Sequence, residues 1–168
     1  VSKLKEVSVL IGNVKSTGSN LAAFRTAQEL GITTILNPAP YQPLTDDLLE
    51  LTDWLIPNEI EFAELDKTHR APDSDAVIAS LRKSGRTIVT LGSDGAALVT
   101  ADGTVKRFAA KKVTATDTTG AGDCFIGAFA AALASGATEE SAVQFGIDCA
   151  TKSVTRKGAQ SSYPKIEE

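Results

Sequence analysis

The sequence predicts an α/β protein: a mostly parallel, doubly wound sheet with helices on both faces and an antiparallel hairpin at one edge. Three observations carry this. Short apolar runs bounded by Gly, Pro and Asp alternate with longer segments of helical period, the pattern of βαβ units. Two of the helical segments close on glycine, at Gly31 and Gly85, just before the next apolar run. Two runs, 96–100 and 104–109, flank Ala101-Asp102-Gly103, and the Asp-Gly pair marks a hairpin that turns the edge antiparallel.

In order, residues 7–11 read as a buried strand. A helix then starts near Ser19, carries Leu21, Phe24, Ala27 and Leu30 on one face and stops at Gly31 in the C′ position. Residues 32–36 form the second strand. Asn37-Pro38-Ala39-Pro40 cannot continue a ladder, because proline lacks the N–H. Thr45 caps a short helix with Asp46 and Asp47 in its first turn, where the helix dipole favours them. Residues 54–56 make a short third strand, which Pro57-Asn58-Glu59-Ile60-Glu61 breaks while opening a helix through Leu65. A polar loop at 67–73, a helix from Ser74 or Asp75 to Ser84 and a fourth strand at 87–91 follow, and Gly92-Ser93-Asp94-Gly95 turns into the hairpin. From Gly120 to Ser135 a small-residue helix sets Phe125, Phe129 and Leu133 at i, i+4 and i+8, and its composition predicts burial nearly all round. A last helix covers 138–154, followed by Thr155-Arg156-Lys157-Gly158-Ala159-Gln160 and a polar tail.

The 168 residues, 42% apolar and 23% charged, make one ordinary globular domain rather than a disordered or fibrous chain. No window approaches the roughly 18 unbroken apolar residues of a membrane span. The net charge is −4 and the basic residues are scattered, which argues against nucleic-acid binding, so anionic ligands must be bound locally. Cys124 and Cys149 sit in apolar helical stretches with no second Cys or His at metal spacing, and read as reduced core thiols. With no leader pattern at the N-terminus the expected compartment is the cytoplasm, and Val1-Ser2-Lys3 reads as the interior of a longer chain.

The chemistry concentrates in Asp117-Thr118-Thr119-Gly120-Ala121-Gly122-Asp123. This run leaves a strand region, passes two glycines and enters a helix, so the N–H groups of Gly120, Ala121 and Gly122 are expected to point unpaired from a helix N-terminus. Glycine lets a phosphate approach the backbone, and phosphoryl transfer needs little besides such positioning and a carboxylate to deprotonate the attacking hydroxyl. Asp123, in the first helical turn, is the candidate base. The run is neither a P-loop, since no lysine follows the glycines, nor a dinucleotide fingerprint, since Phe125 stands where a glycine is required. Spacing alone leaves open a plainer reading, in which the aspartates cap a helix and the glycines permit close packing.

Asp117-Thr118-Thr119-Gly120-Ala121-Gly122-Asp123-Cys124-Phe125 resembles the DTxGAGDxF signature of the ribokinase family of sugar kinases. Asn37-Pro38-Ala39-Pro40, Pro57-Asn58-Glu59-Ile60-Glu61, Thr90-Leu91-Gly92-Ser93-Asp94-Gly95 and Thr155-Arg156-Lys157-Gly158-Ala159-Gln160 resemble further family segments in the right order, nearer to the ribokinase branch than to fructokinases or adenosine kinases. The resemblance spans about residues 7–164. It implies a kinase that transfers the ATP γ-phosphoryl to O5 of D-ribose, with Asp123 as base and Gly120, Ala121 and Gly122 as the anion hole. It implies Asn58 and Glu61 of an NxxE motif acting on Mg²⁺ through water, and Thr90, Gly92, Ser93 and Gly95, with Gly122, beside the nucleotide. Asp117, Thr119 and the carbonyls of Val154, Lys157 and Ala159 match a monovalent-cation site that takes K⁺ in the family.

There are departures. The chain begins where the second half of the family begins, so most sugar contacts and the small β lid are not in it. No acid stands in Gly12-Asn13-Val14-Lys15, where the family has a sugar-contacting glutamate. Asp94 replaces a more usual basic or polar residue, and Ile147 stands where some members place a histidine near adenine. A sheet cut through its middle exposes a strand edge and an apolar face, so self-association, as a homo-oligomer, or pairing with the missing N-terminal portion is expected.

Overall fold

The computed structural model describes residues 7–14, 17–66, 69–81 and 85–165. The elements follow in the order β1 (Val9–Asn13), α1 (Thr17–Glu29), β2 (Thr33–Asn37), α2 (Asp46–Glu50), β3 (Trp54–Leu55), α3 (Glu59–Leu65), α4 (Asp75–Ser80), β4 (Arg86–Thr90), β5 (Ala96–Val99), β6 (Val105–Phe108), α5 (Ala121–Ala134) and α6 (Glu139–Ser153). The six strands form one mixed sheet in chain order, with β1 to β4 parallel and β4, β5 and β6 antiparallel.

Two compact units divide the chain: residues 1–90 with 97–106, and residues 91–96 with 107–168. In the first, Phe24, Ile35, Leu36, Leu48, Ile56, Phe62, Ile78 and Ile88 are fully buried. The alternation of β1 and β2 with helical segments supplies that core, since Val9 to Asn13 pair in parallel register with Thr33 to Asn37. Thr45 caps α2 as predicted, accepting from the Leu48 N–H. Gly31, at φ +69, ends α1 in a Schellman motif: its N–H donates to Gln28 O and that of Ile32 to Ala27 O. The α4 helix stops at Ser80, short of the predicted Ser84, and 82–84 lie outside the described residues. The first strand runs two residues later than predicted, because Gly12 and Asn13 remain in the ladder with β2.

In the second unit α5 packs on α6, with Phe125, Phe129, Val143 and Ile147 buried. The Phe125 and Phe129 rings lie parallel with centroids 6.2 Å apart. Gly146 makes the close approach possible, because a Cβ there would come within 2.9 Å of the Phe125 ring. The prediction that α5 is buried nearly all round does not hold. Gly127, Ala131 and Ala134 are exposed and Leu133 is half-buried. Alanine raises mean hydropathy without marking a core face, so composition overstated the buried arc. Cys124 is buried as expected, Cys149 is half-buried, and neither is in a disulfide.

Among the described residues no helix is long and apolar enough to cross a membrane. β1 lies at the end of the strand order, and Ile11 in it is 46% exposed.

Candidate active site

The Gly120 turn has the form the motif required. Gly120 is the N-cap residue of α5 at φ +76, a conformation an L side chain adopts only under strain. Space is tight as well: a Cβ there would lie 2.8 Å from Tyr163 Oη and 3.0 Å from the Ala159 Cβ, so one of them would have to shift. Gly122 differs, since a Cβ there would meet only open space. Among the described residues the N–H groups of Gly120, Gly122 and Asp123 have no acceptor, whereas the Ala121 N–H donates to Thr118 O at 3.2 Å. The expectation that Ala121 also offers an unpaired N–H is therefore corrected: the tight turn that turns Gly120 left-handed also folds Ala121 back onto Thr118. Asp123 is exposed in the first turn of α5, at the positive end of the helix dipole.

Asp117 holds this turn from below. Its Oδ1 accepts the Thr119 N–H and its Oδ2 the Gly158 N–H, each at 2.9 Å. The Thr119 hydroxyl and N–H, then the Gly158 N–H and the Lys157 charge, hold the carboxyl at about 2, well below its ordinary 3.8. A lowered pKa means stability present above the ordinary value and lost as pH falls toward the folded one. Asp117→Asn is accordingly expected to lower the thermal midpoint at neutral pH, and its deficit relative to the wild type should shrink as pH falls from about 4 to about 2. Calorimetric melts of both proteins across that window check this.

In the first unit, Asn58 and Glu61 form a capping box at the start of α3. The Glu61 N–H donates to Asn58 Oδ1 at 2.9 Å, and the Asn58 N–H to Glu61 Oε2 at 3.0 Å. Asn58 bridges Thr90 in parallel pairing, and the Thr90 N–H donates to Pro57 O. Asn58, Glu61 and Thr90 are thus gathered at the C-terminal ends of parallel strands, where open α/β sheets bind ligands. Glu61 is only 7% exposed, and burial pushes its carboxyl above the ordinary value against the pull of the Asn58 hydrogen bonds. A buried carboxylate with one oxygen spent on a cap suits an Mg²⁺ held mostly by water and substrate phosphates. Among the described residues no cluster of three metal-ligating side chains exists.

Gly92, Ser93 and Asp94 form one 3₁₀ turn closed by Gly95, with the Leu91 N–H donating to Gly95 O. Gly95, at φ +98, packs against Phe108 O and Ala110 N so closely that no Cβ fits. Lys112 Nζ reaches Ser93 O at 3.1 Å and Asp94 Oδ1 at 3.0 Å, which accounts for an acid at position 94. Ile147 is 3% exposed and belongs to the α5–α6 core.

The residues matched to a K⁺ site are brought together, but their oxygens are engaged. Val154 O accepts from the N–H groups of Thr116 and Asp117, Ala159 O from the N–H and Oγ of Ser162, and Lys157 O from Ser161 Oγ. Asp117 already binds through both oxygens. A carbonyl with two hydrogen bonds has no lone pair left for a cation, so Val154 O and Ala159 O do not fit the ion as arranged, whereas Lys157 O with one hydrogen bond and the Asp117 carboxylate with one per oxygen keep lone pairs. Tyr163 was not singled out from the sequence. Its hydroxyl donates to Gly120 O at 3.0 Å, and a tyrosine before Pro164 in a polar tail gave no signal of that contact.

The pfkB family carbohydrate kinase model matches residues 9–166. The chain is 39% identical over 153 residues to the ribokinase of Schizosaccharomyces pombe, covering 87% of this chain and 48% of that protein. It is similar to the crystal structure of ribokinase from Thermotoga maritima, with a TM-score of 0.86 and 35% identity over 99% of this chain and 56% of that one. Arabidopsis thaliana ribokinase, solved with ribose and ATP, gives a TM-score of 0.90 at 26% identity, over 99% and 55%. The chain spans about half the length of the curated relatives it matches. With the Gly120 turn, the Asp117 brace and the Asn58–Glu61 box all in place along that match, the chain belongs to the pfkB family of carbohydrate kinases.

Proposed function

We propose that this chain is the nucleotide-binding and catalytic part of a sugar kinase that transfers the γ-phosphoryl of ATP to the primary hydroxyl, O5, of D-ribose. The observation that carries the reading is the first turn of α5, where the unpaired N–H groups of Gly120 and Gly122 stand with the Asp123 carboxylate. Asp123 takes the proton of the sugar hydroxyl, O5 bonds to the γ-phosphorus, and the bond to the β–γ bridging oxygen breaks to release ADP. The two amides hold the charge that spreads over the transferring oxygens, with no reorganisation needed at the moment of reaction. Asn58 and Glu61 would hold Mg²⁺ through water, and the ion would supply charge neutralisation on the phosphates. Gly92, Ser93 and Gly95 offer a turn without bulky side chains to the nucleotide. No step is routed through K⁺.

A second reading, a nucleotide-binding module without catalysis, is favoured by one observation: Gly12 to Val14 carry no acid to hold a sugar. The chain would work in the cytoplasm, as a homo-oligomer or with a further polypeptide portion added at the β1 edge. Calorimetric titration with ATP, run beside sedimentation, tests these readings together. Expected are ATP binding that Mg²⁺ strengthens, and self-association. Glu61→Gln keeps the cap acceptor and removes the charge, so the Mg²⁺-dependent gain in affinity should fall about 10-fold while metal-free binding persists. Equal Mg²⁺ gains in both proteins would remove Glu61 from its role.

A further inference from the structure

The contacts around Gly120 point to a further element of the site, resting on the reading just given. We propose that Tyr163 is a positioning residue for phosphoryl transfer, its hydroxyl fixing the Gly120–Ala121 peptide from beneath the anion hole. The Gly120 carbonyl has two donors, the Cys124 N–H at 2.9 Å, which is the first hydrogen bond of α5, and Tyr163 Oη at 3.0 Å. Together they fill both lone pairs. That carbonyl therefore cannot rotate toward the site, where it would present a negative dipole to an incoming phosphate.

Tyr163 is itself held firmly. The Gln160–Ser162 turn precedes it, its N–H donates to Gln160 O, and Ser162, 1% exposed, ties to Ala159 O through both N–H and Oγ. The same tail meets the turn at three more places: Gly158 N–H to Asp117, Ala159 Cβ against Gly120, and Val154 O to Thr116 and Asp117. The tail thus forms a clasp under residues 116–120, and Tyr163 is its contact on the residue that opens the anion hole. Burial raises the phenol above its ordinary value and the charge of Asp123 adds to this, so the hydroxyl keeps its proton and remains a donor at neutral pH.

Because transfer depends on alignment, a small shift in the amides should act on turnover more than on binding. Tyr163→Phe keeps the ring and removes only the donor. In the chain or assembly that shows Asp123-dependent turnover, kcat is expected to fall about 10-fold, with KM for ATP and for ribose within about 2-fold and the thermal midpoint little changed. Unchanged kcat, or kcat falling only in step with the thermal midpoint, would overturn the proposal. Amide hydrogen exchange separates failure of this inference from failure of the kinase reading. Even in a chain without turnover, the variant should exchange the Cys124 N–H several-fold faster while Ile147, in the middle of α6, is unaffected. Equal protection of Cys124 in both proteins would overturn the role of Tyr163 whatever the activity.

Discussion

Asp123→Asn is expected to lower sugar-dependent ADP release by about 10²- to 10⁴-fold, roughly 2.7 to 5.5 kcal/mol of barrier. Asparagine is nearly the same size and keeps an oxygen toward the site, but it cannot take the proton from the attacking hydroxyl. The position is exposed in the first turn of α5, so the change opens no cavity and breaks no core contact. The loss should therefore fall on kcat, with ATP affinity and thermal midpoint nearly intact, since the neighbouring amides remain. A steady-state assay with paired calorimetry measures both. An unchanged rate would take the base role from Asp123.

Gly120→Ala is the second large effect, and it acts through the backbone. Position 120 sits at φ +76, where a Cβ costs about 1 to 2 kcal/mol by its conformation alone. The added carbon would also stand 2.8 Å from Tyr163 Oη and 3.0 Å from Ala159, both part of the clasp. The turn must open or the tail must move, and either displaces the anion hole. A loss of about 1 to 3 kcal/mol in stability and of about 10²-fold in kcat is expected. Gly122→Ala is the control, because open space surrounds that Cβ and its backbone is helical; its thermal midpoint should stay near the wild type. Denaturant melts of the two variants decide the matter, and equal stabilities would contradict the strain at Gly120.

Local signals with one physical cause were legible in the sequence. Thr45 before two aspartates gave a cap, Gly31 after a helical period gave a C′ stop, and Pro57-Asn58-Glu59-Ile60-Glu61 gave the opening of α3, while the Schellman bonds and the capping box are findings of the structure. The glycines of the Gly120 turn announced the entry to α5, and the structure adds that Gly120 is left-handed. What sequence could not supply was the partner across space. The Gly158 N–H that completes the Asp117 carboxylate lies 41 residues away, and the Tyr163 hydroxyl 43 residues from Gly120. Ala121 illustrates the same limit at short range: its N–H belongs to a helix N-terminus by position, yet the turn gives it Thr118. The carbonyls of Val154 and Ala159 matched a cation site as residues, but their hydrogen bonds depend on a tail conformation that no spacing encodes. The exposed arc of α5 escaped for a different reason, since alanine fits a core and a surface equally well.

The central claim is that the first turn of α5 performs phosphoryl transfer to a sugar. The measurement that tests it most directly is ADP release by the purified chain with Mg-ATP, K⁺ and D-ribose, beside the same reaction without ribose and beside Asp123→Asn. The account predicts release that depends on ribose and is lost in the variant. Release that is independent of ribose, or that survives Asp123→Asn, would contradict it.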